Sequence, residues 1–131
     1  MTEEKELQLI RKYPKIFRDC SSTKEMTSMV WGLECGDGWY DLIDYLCSNL
    51  QLDIDQNGHP QVVAVQVKEK FGQLRFYILE GDERQYAVID FAEQLSLLFC
   101  ERCGTNRNVT LHGDGWWRTL CSQCKEGNHK S

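Results

Sequence analysis

The stretch QVVAVQVKEKFGQLRFYIL, residues 61–79, decides the fold class. Residues 61–68 and 73–79 alternate with period two and are rich in Val, Phe, Tyr and Ile, the pattern of half-buried strands. Val63, Val65 and Val67 share one face of the first strand, and Leu74, Phe76 and Ile78 share one face of the second. The connection Glu69-Lys70-Phe71-Gly72 has hairpin length, and Gly72 can take a positive φ at no steric cost.

Helices are predicted on both sides of this hairpin. Upstream, residues 37–50 place Trp39, Leu42, Ile43, Leu46 and Leu50 on one helical face. Asp37, Asp41, Asp44 and Ser48 fall on the other, with Asp37 or Gly38 as the cap and Asn57-Gly58 as the following turn. Downstream, Asp82 opens a helix with Gln85 as its capping-box partner, and Val88, Phe91, Ala92, Leu95 and Phe99 form the apolar stripe up to Cys100. Residues 3–12 read as a short helix with acids in its first turn, carrying Leu7 and Ile10 inward, until Pro14 interrupts it. Residues 18–30 show no strong period and read as loop with room for a short strand.

The C-terminal quarter has its own logic. Cys100-x2-Cys103-x17-Cys121-x2-Cys124 supplies two Cys-x2-Cys pairs, the donor set of a tetrahedral structural zinc site with one ion per chain. Between the pairs, Asn108–Leu111, a Gly113-Asp114-Gly115 turn and Trp116–Leu120 read as a small hairpin. The expected architecture is therefore α+β: a short antiparallel sheet covered by helices, with a four-cysteine zinc ribbon or treble-clef-like module at the C-terminal end. Residues 1–99 form the helix-hairpin-helix core and residues 100–131 the zinc-binding module, packed as one compact unit.

Four thiolates close the coordination sphere, whereas catalytic zinc keeps a position for water, so no enzymatic role is expected. Of the remaining cysteines, Cys47 reads as a small core residue. Cys35 lies at a helix N-terminus, which favours a nucleophilic thiolate, but among acids that oppose one. Cys20 has no assigned role. Gly-Asp-Gly-Trp occurs at 36–39 and again at 113–116, either as two turns that each bury a Trp or as the paired rim of a binding surface.

The chain has 131 residues and a net charge of -5, and residues 1–60 carry all of that excess. No Lys or Arg lies between Lys24 and Lys68. Such a field disfavours nucleic acid and favours a basic partner surface. Glu34, Asp37, Asp41 and Asp44 are the candidate charges of that contact, with Trp39, Tyr40 and Trp116 as anchors. A nucleic-acid contact would instead use Arg102, Arg107, Trp117 and Arg118, although four thiolates on one zinc ion offset the +2 of residues 100–131. No apolar run reaches membrane-span length and the first residues are charged, so a soluble cytoplasmic protein is expected. Nothing in the pattern fixes a number of subunits.

Three segments carry a resemblance. Trp31-Gly32-Leu33-Glu34-Cys35-Gly36-Asp37-Gly38-Trp39, Gln66–Tyr77 and Trp117-Arg118-Thr119-Leu120-Cys121 resemble a family of small, uncharacterised bacteriophage and prophage proteins. The likeness implies a phage setting and a zinc-binding C-terminus, and it carries over no catalytic residues. A more distant similarity is to zinc-containing HNH nucleases, with Leu111-His112-Gly113-Asp114 in the place of the Asp-His element and Asn128-His129 after the last Cys pair. The preceding Asp and the doubled His are absent, which implies a degenerate scaffold without the parts for water activation. The expected function is non-catalytic binding of a host protein, as in host takeover or inhibition of a defence complex. The alternatives are a nucleic-acid-binding zinc module, a degenerate HNH-type nuclease and a sponge for a signalling nucleotide. The last has no phosphate-cradling Gly-rich loop to support it.

Overall fold

The computed structural model describes residues 1–21, 32–113 and 115–126. Its elements follow in the order α1 (Glu3–Lys12), α2 (Arg18–Ser21), β1 (Leu33–Glu34), α3 (Tyr40–Asn57), β2 (Ala64–Lys70), β3 (Gln73–Ile78), α4 (Glu83–Leu95), β4 (Val109–Gly113), β5 (Trp117–Cys121) and α5 (Ser122–Lys125). This is the expected α+β arrangement with a C-terminal group of four cysteines.

Strands β2 and β3 pair antiparallel from Ala64↔Ile78 to Lys70↔Gln73. The ladder runs two residues further toward the tip than the alternation suggested, which leaves Phe71-Gly72 as a two-residue turn. A bulge between Ala64 and Gln66 breaks the alternation, so Ala64 and Val67 are buried while Val65 is only half-buried. A third strand, β1, joins β2 in parallel through Leu33↔Val67 and Glu34↔Lys68. The sheet is thus mixed at one edge.

At the other edge, side chains take the place of a fourth strand. The Leu74 N–H donates to Ser96 Oγ (2.9 Å) and the Phe76 N–H to Glu93 Oε2 (2.8 Å), so outward-facing donors of β3 are satisfied by α4 and the turn after it. Burial pushes the Glu93 carboxyl up, against the Phe76 N–H and Arg75, which favour the carboxylate.

The helices depart from the sequence pattern in instructive ways. In α1 the buried residue is Leu9, while Leu7 is 38% exposed, so the inward stripe is rotated from the one expected. The chain then turns at Pro14, and residues 18–21 form α2 where loop was expected; the remainder of that segment lies outside the described residues. Residues 37–39 form a 3-10 turn, and the helix proper starts at Tyr40 and continues to Asn57, where Gly58 caps it at φ 73°. Asp37 does not cap it: its Oδ1 accepts the Thr2 N–H at 2.7 Å.

Helix α4 has the capping box. Asp82 accepts from the Gln85 N–H (2.9 Å), and Gln85 Oε1 accepts from the Asp82 N–H (3.0 Å). It buries Gln85, Ile89 and Ala92, and Phe91 faces solvent instead of the core. The start of α4 is clipped to the end of α3: His59 Nδ1 lies 2.6 Å from Asp82, and Arg84 Nε donates to Asp53 at 2.7 Å.

One apolar cluster joins α1, β1, α3, the sheet and α4 around Phe17, Trp39, Ile43, Leu50, Val67 and Phe76. A second, much smaller one consists of Cys100, Leu120, Cys121 and Cys124, with Val109 against it.

Candidate metal centre

Residues 100–104 make a tight turn in which the Gly104 N–H donates to the Cys100 carbonyl (2.8 Å), with Gly104 at φ 86°. The second Cys pair bridges the end of β5 and the start of α5, and the Cys124 N–H points at Cys121 Sγ (3.4 Å). The four ligating sulfurs lie within 4.8 Å of one another, and Cys103 Sγ and Cys121 Sγ are 3.8 Å apart. A tetrahedron with metal–sulfur bonds of about 2.3 Å has edges of about 3.8 Å. The donor set and its spacing therefore fit one metal ion.

The backbone around Cys100 favours its thiolate, whereas burial raises the thiols of Cys103 and Cys124. Burial opposes ionisation of Cys100, yet the N–H groups of Cys103, Cys121 and Arg102 bring its thiol down to about 7. Cys100, Cys121 and Cys124 are buried and Cys103 reaches the surface.

The centre is tied to the main core by the first Gly-Asp-Gly-Trp copy. The Gly36 N–H donates to Glu101 Oε2 (2.8 Å) and the Gly38 N–H to the Glu101 carbonyl (2.7 Å). A Cβ on Gly38 would stand 2.1 Å from the Cys100 carbonyl oxygen, so only glycine lets the two backbones approach. Trp39, fully buried, donates its indole N–H to the Phe99 carbonyl (2.9 Å). Burial raises the Glu101 carboxyl above its ordinary range, with the Gly36 N–H working the other way.

Other candidate residues are placed as follows. Trp39 is corrected from surface anchor to core residue, because its ring has no exposed area and its one polar atom is satisfied internally. Asp44 is engaged by Tyr13 Oη (2.5 Å) and Lys12 Nζ (2.9 Å), and Asp37 by Thr2. Of the acidic face, Glu34 and Asp41 remain exposed; Tyr40 is half-buried with Lys5 Nζ 4.8 Å from its ring centre. Cys35 is 7% exposed and burial pushes its thiol up to about 12, which disfavours a thiolate there. Cys47 is fully buried, as a core residue should be.

His112 lies on β4 across from Arg118, its Nε2 2.9 Å from Thr110 Oγ1. Arg107 is exposed, while Arg102 and Arg118 are half-buried, Arg118 close enough to Glu101 to stabilise its charge. Asp114, Asn128 and His129 lie outside the described residues.

The second Gly-Asp-Gly-Trp copy behaves unlike the first. Trp116 is 71% exposed at the tip of the β4–β5 hairpin, and the ring of Trp117 lies over Gly113, its cross-strand partner. Beside them stands Phe71, 63% exposed and held at φ 56°. A bulky side chain rarely sits at positive φ, so this turn stores strain while presenting an aromatic ring to solvent. Thr119 Oγ1 donates to the Gly72 carbonyl (2.6 Å) and fixes the tip of the β2–β3 hairpin against the middle of β5. Phe71, Trp116 and Trp117 line a cleft of about 330 Å³ between them. Phe71 was not singled out in the sequence, though a two-residue Phe-Gly turn between strands demands positive φ at both positions.

Comparison with protein families, with curated proteins and with solved structures finds no match. Among the described residues, no helix is long and apolar enough to cross a membrane.

Proposed function

We propose that the chain is a non-catalytic binding protein, stabilised by one structural zinc ion, that engages a host protein in the phage setting its motifs suggest. The observation that carries this reading is the aromatic surface at the two hairpin tips. Phe71, Trp116 and Trp117 are exposed together, one of them at a backbone cost, and the strand that carries Trp117 ends at Cys121 of the four-cysteine centre. Exposed aromatic clusters of this kind are the anchors of protein interfaces.

Zinc is the ion that suits the donors, because four soft thiolates in a tetrahedron are its commonest structural site. Cys100, Cys103, Cys121 and Cys124 would hold it, and its contribution is folding energy. The net charge of -5 and the exposed Glu34 and Asp41 favour a partner with a basic surface. Of the arginines of the zinc module, Arg118 lies close enough to Glu101 to offset its charge and Arg102 is half-buried, which leaves Arg107 the exposed one.

The test is capture of host proteins by the zinc-loaded chain and by Trp116→Ala and Phe71→Ala variants with unchanged zinc content. A protein retained by the parent and lost with either variant supports the reading. Salt-sensitive oligonucleotide binding that needs Arg107, or Mg²⁺-dependent cleavage that His112→Ala abolishes, overturns it.

A further inference from the structure

A second surface lies away from the hairpin tips. Helices α3 and α4 lie side by side, and the Asp53–Arg84 pair, near the end of one and the start of the other, sets them running in opposite directions. Between them is an open apolar groove of about 450 Å³. Leu46 and Ala92, both buried, form its floor, and Leu42 and Val88 are its half-buried walls. Tyr45 and Phe91 stand at its lips, 73% and 63% exposed. An aqueous surface has no use for two large rings flanking a trough of Leu and Val, whose burial favours an occupant.

The flanks say what kind of occupant. Asp41 precedes Tyr45 by one helical turn, and Glu83 precedes the groove-lining Arg84 in the first turn of α4; both are exposed, whereas Asp90 faces the other side of α4 beside Tyr77 and Glu93. The one basic side chain lining the groove, Arg84, is already paired with Asp53. Two copies of this chain face to face would therefore set acidic flank against acidic flank, which costs association free energy. A partner with basic flanks and an apolar stripe meets both requirements.

The lining runs along α4 from Arg84 to Leu95, about three helical turns or about 16 Å. That length matches side chains at i, i+4, i+7 and i+11 of a docked helix. We infer that the α3–α4 groove is a docking site for a basic amphipathic helix of a partner protein. The inference shares with the proposed function only the premise that the protein binds others. It uses a different surface, so each can fail without the other.

The probe is a synthetic amphipathic peptide of about 16 residues, Leu on one face and Lys on its flanks, measured by calorimetry against a Glu-flanked twin. The Lys peptide is expected to bind the zinc-loaded chain, and Phe91→Asp to weaken it about tenfold or more. Tyr45→Asp serves as the independent second variant; both sites are exposed, so the fold should be kept, as circular dichroism will show. Reversal of Asp41 and Glu83 to Lys should weaken binding several-fold, and Trp116→Ala should leave it unchanged. Equal binding of the Glu-flanked twin, no response to either groove variant, or a dimer in solution that Phe91→Asp dissolves would each overturn the assignment.

Discussion

Gly38 and Phe71 show how single positions connect this sequence to its site. At Gly38 a methyl group would enter the space of the Cys100 carbonyl, 2.1 Å away, in a place where both backbones are held by hydrogen bonds. Gly38→Ala is therefore expected to cost about 2 kcal/mol by overpacking, read as a lower denaturation midpoint, and to weaken metal retention because the displaced backbone carries a ligand. An unchanged midpoint would mean that the Cys35–Trp39 loop and the Cys100 turn do not hold each other. Phe71 makes the opposite case. Its φ of 56° suits Asn far better than Phe, so Phe71→Asn should stabilise the hairpin by about 1 kcal/mol in thermal unfolding while weakening partner capture. Gain of stability with full retention of binding would deny the exposed ring a role. The two Gly-Asp-Gly-Trp copies carry the same lesson: an identical tetrapeptide buries its Trp against the Phe99 carbonyl in one place and exposes it at a hairpin tip in the other.

At the scale of elements, the capping box at α4 and the coverage of the β3 edge do most to place the helix layer. Gln85 is 1% exposed, and its side chain meets the Asp82 N–H and the Pro60 carbonyl (2.7 Å). Gln85→Leu keeps the volume but leaves both groups without that partner, and should cost about 2 kcal/mol in chemical denaturation. Acid acts on the same corner. His59, then the Gln85 N–H, hold the Asp82 carboxyl below its ordinary 3.8, and Asn57, then Arg84, do the same for Asp53. Folded values below unfolded ones mean that this stabilisation is complete above pH 3.8 and is lost as the pH falls through the lowered values. Asp82→Asn should accordingly be less stable at neutral pH and lose less between about pH 5 and pH 2.5, which a denaturation series across that range will check. The capping box, both hairpins and the paired Cys-x2-Cys turns were legible because each is written in a few adjacent residues. The rotation of α1, the outward Phe91 and the parallel β1 were not. Periodicity says which residues share a face but not which face meets the core, and the Ala64/Gln66 bulge erases it locally. Contacts such as Gly36 with Glu101 join positions 65 residues apart, and no local pattern announces them.

Among the described residues the molecule is an unequal pair of apolar clusters, and the inequality says what a metal held by the four cysteines would do. The larger has an interior of aromatic and aliphatic side chains from six elements; the smaller has four buried residues, three of them cysteines. Leu120 and Val109 bury too little apolar area to offset the entropy of ordering two turns and a hairpin. Coordination can supply what is missing, since a structural thiolate site contributes on the order of 10 kcal/mol to folding. Removing the ion with a strong chelator should therefore release β4 and β5 first. The amides of Thr119 and Glu101 should lose protection against hydrogen exchange while those of α3 keep theirs. Because Trp39 and Glu101 bridge the clusters, the remaining core should also unfold at a lower temperature. Cys121→Ser should reproduce the chelated state without chelator, with no metal found by elemental analysis. Partner capture through Trp116 should vanish in both, whereas a peptide bound between α3 and α4 should still bind at low temperature. Protection of Thr119 that survives metal removal would show instead that the Gly72 contact alone holds the hairpin, and the ion would then have some other purpose than folding.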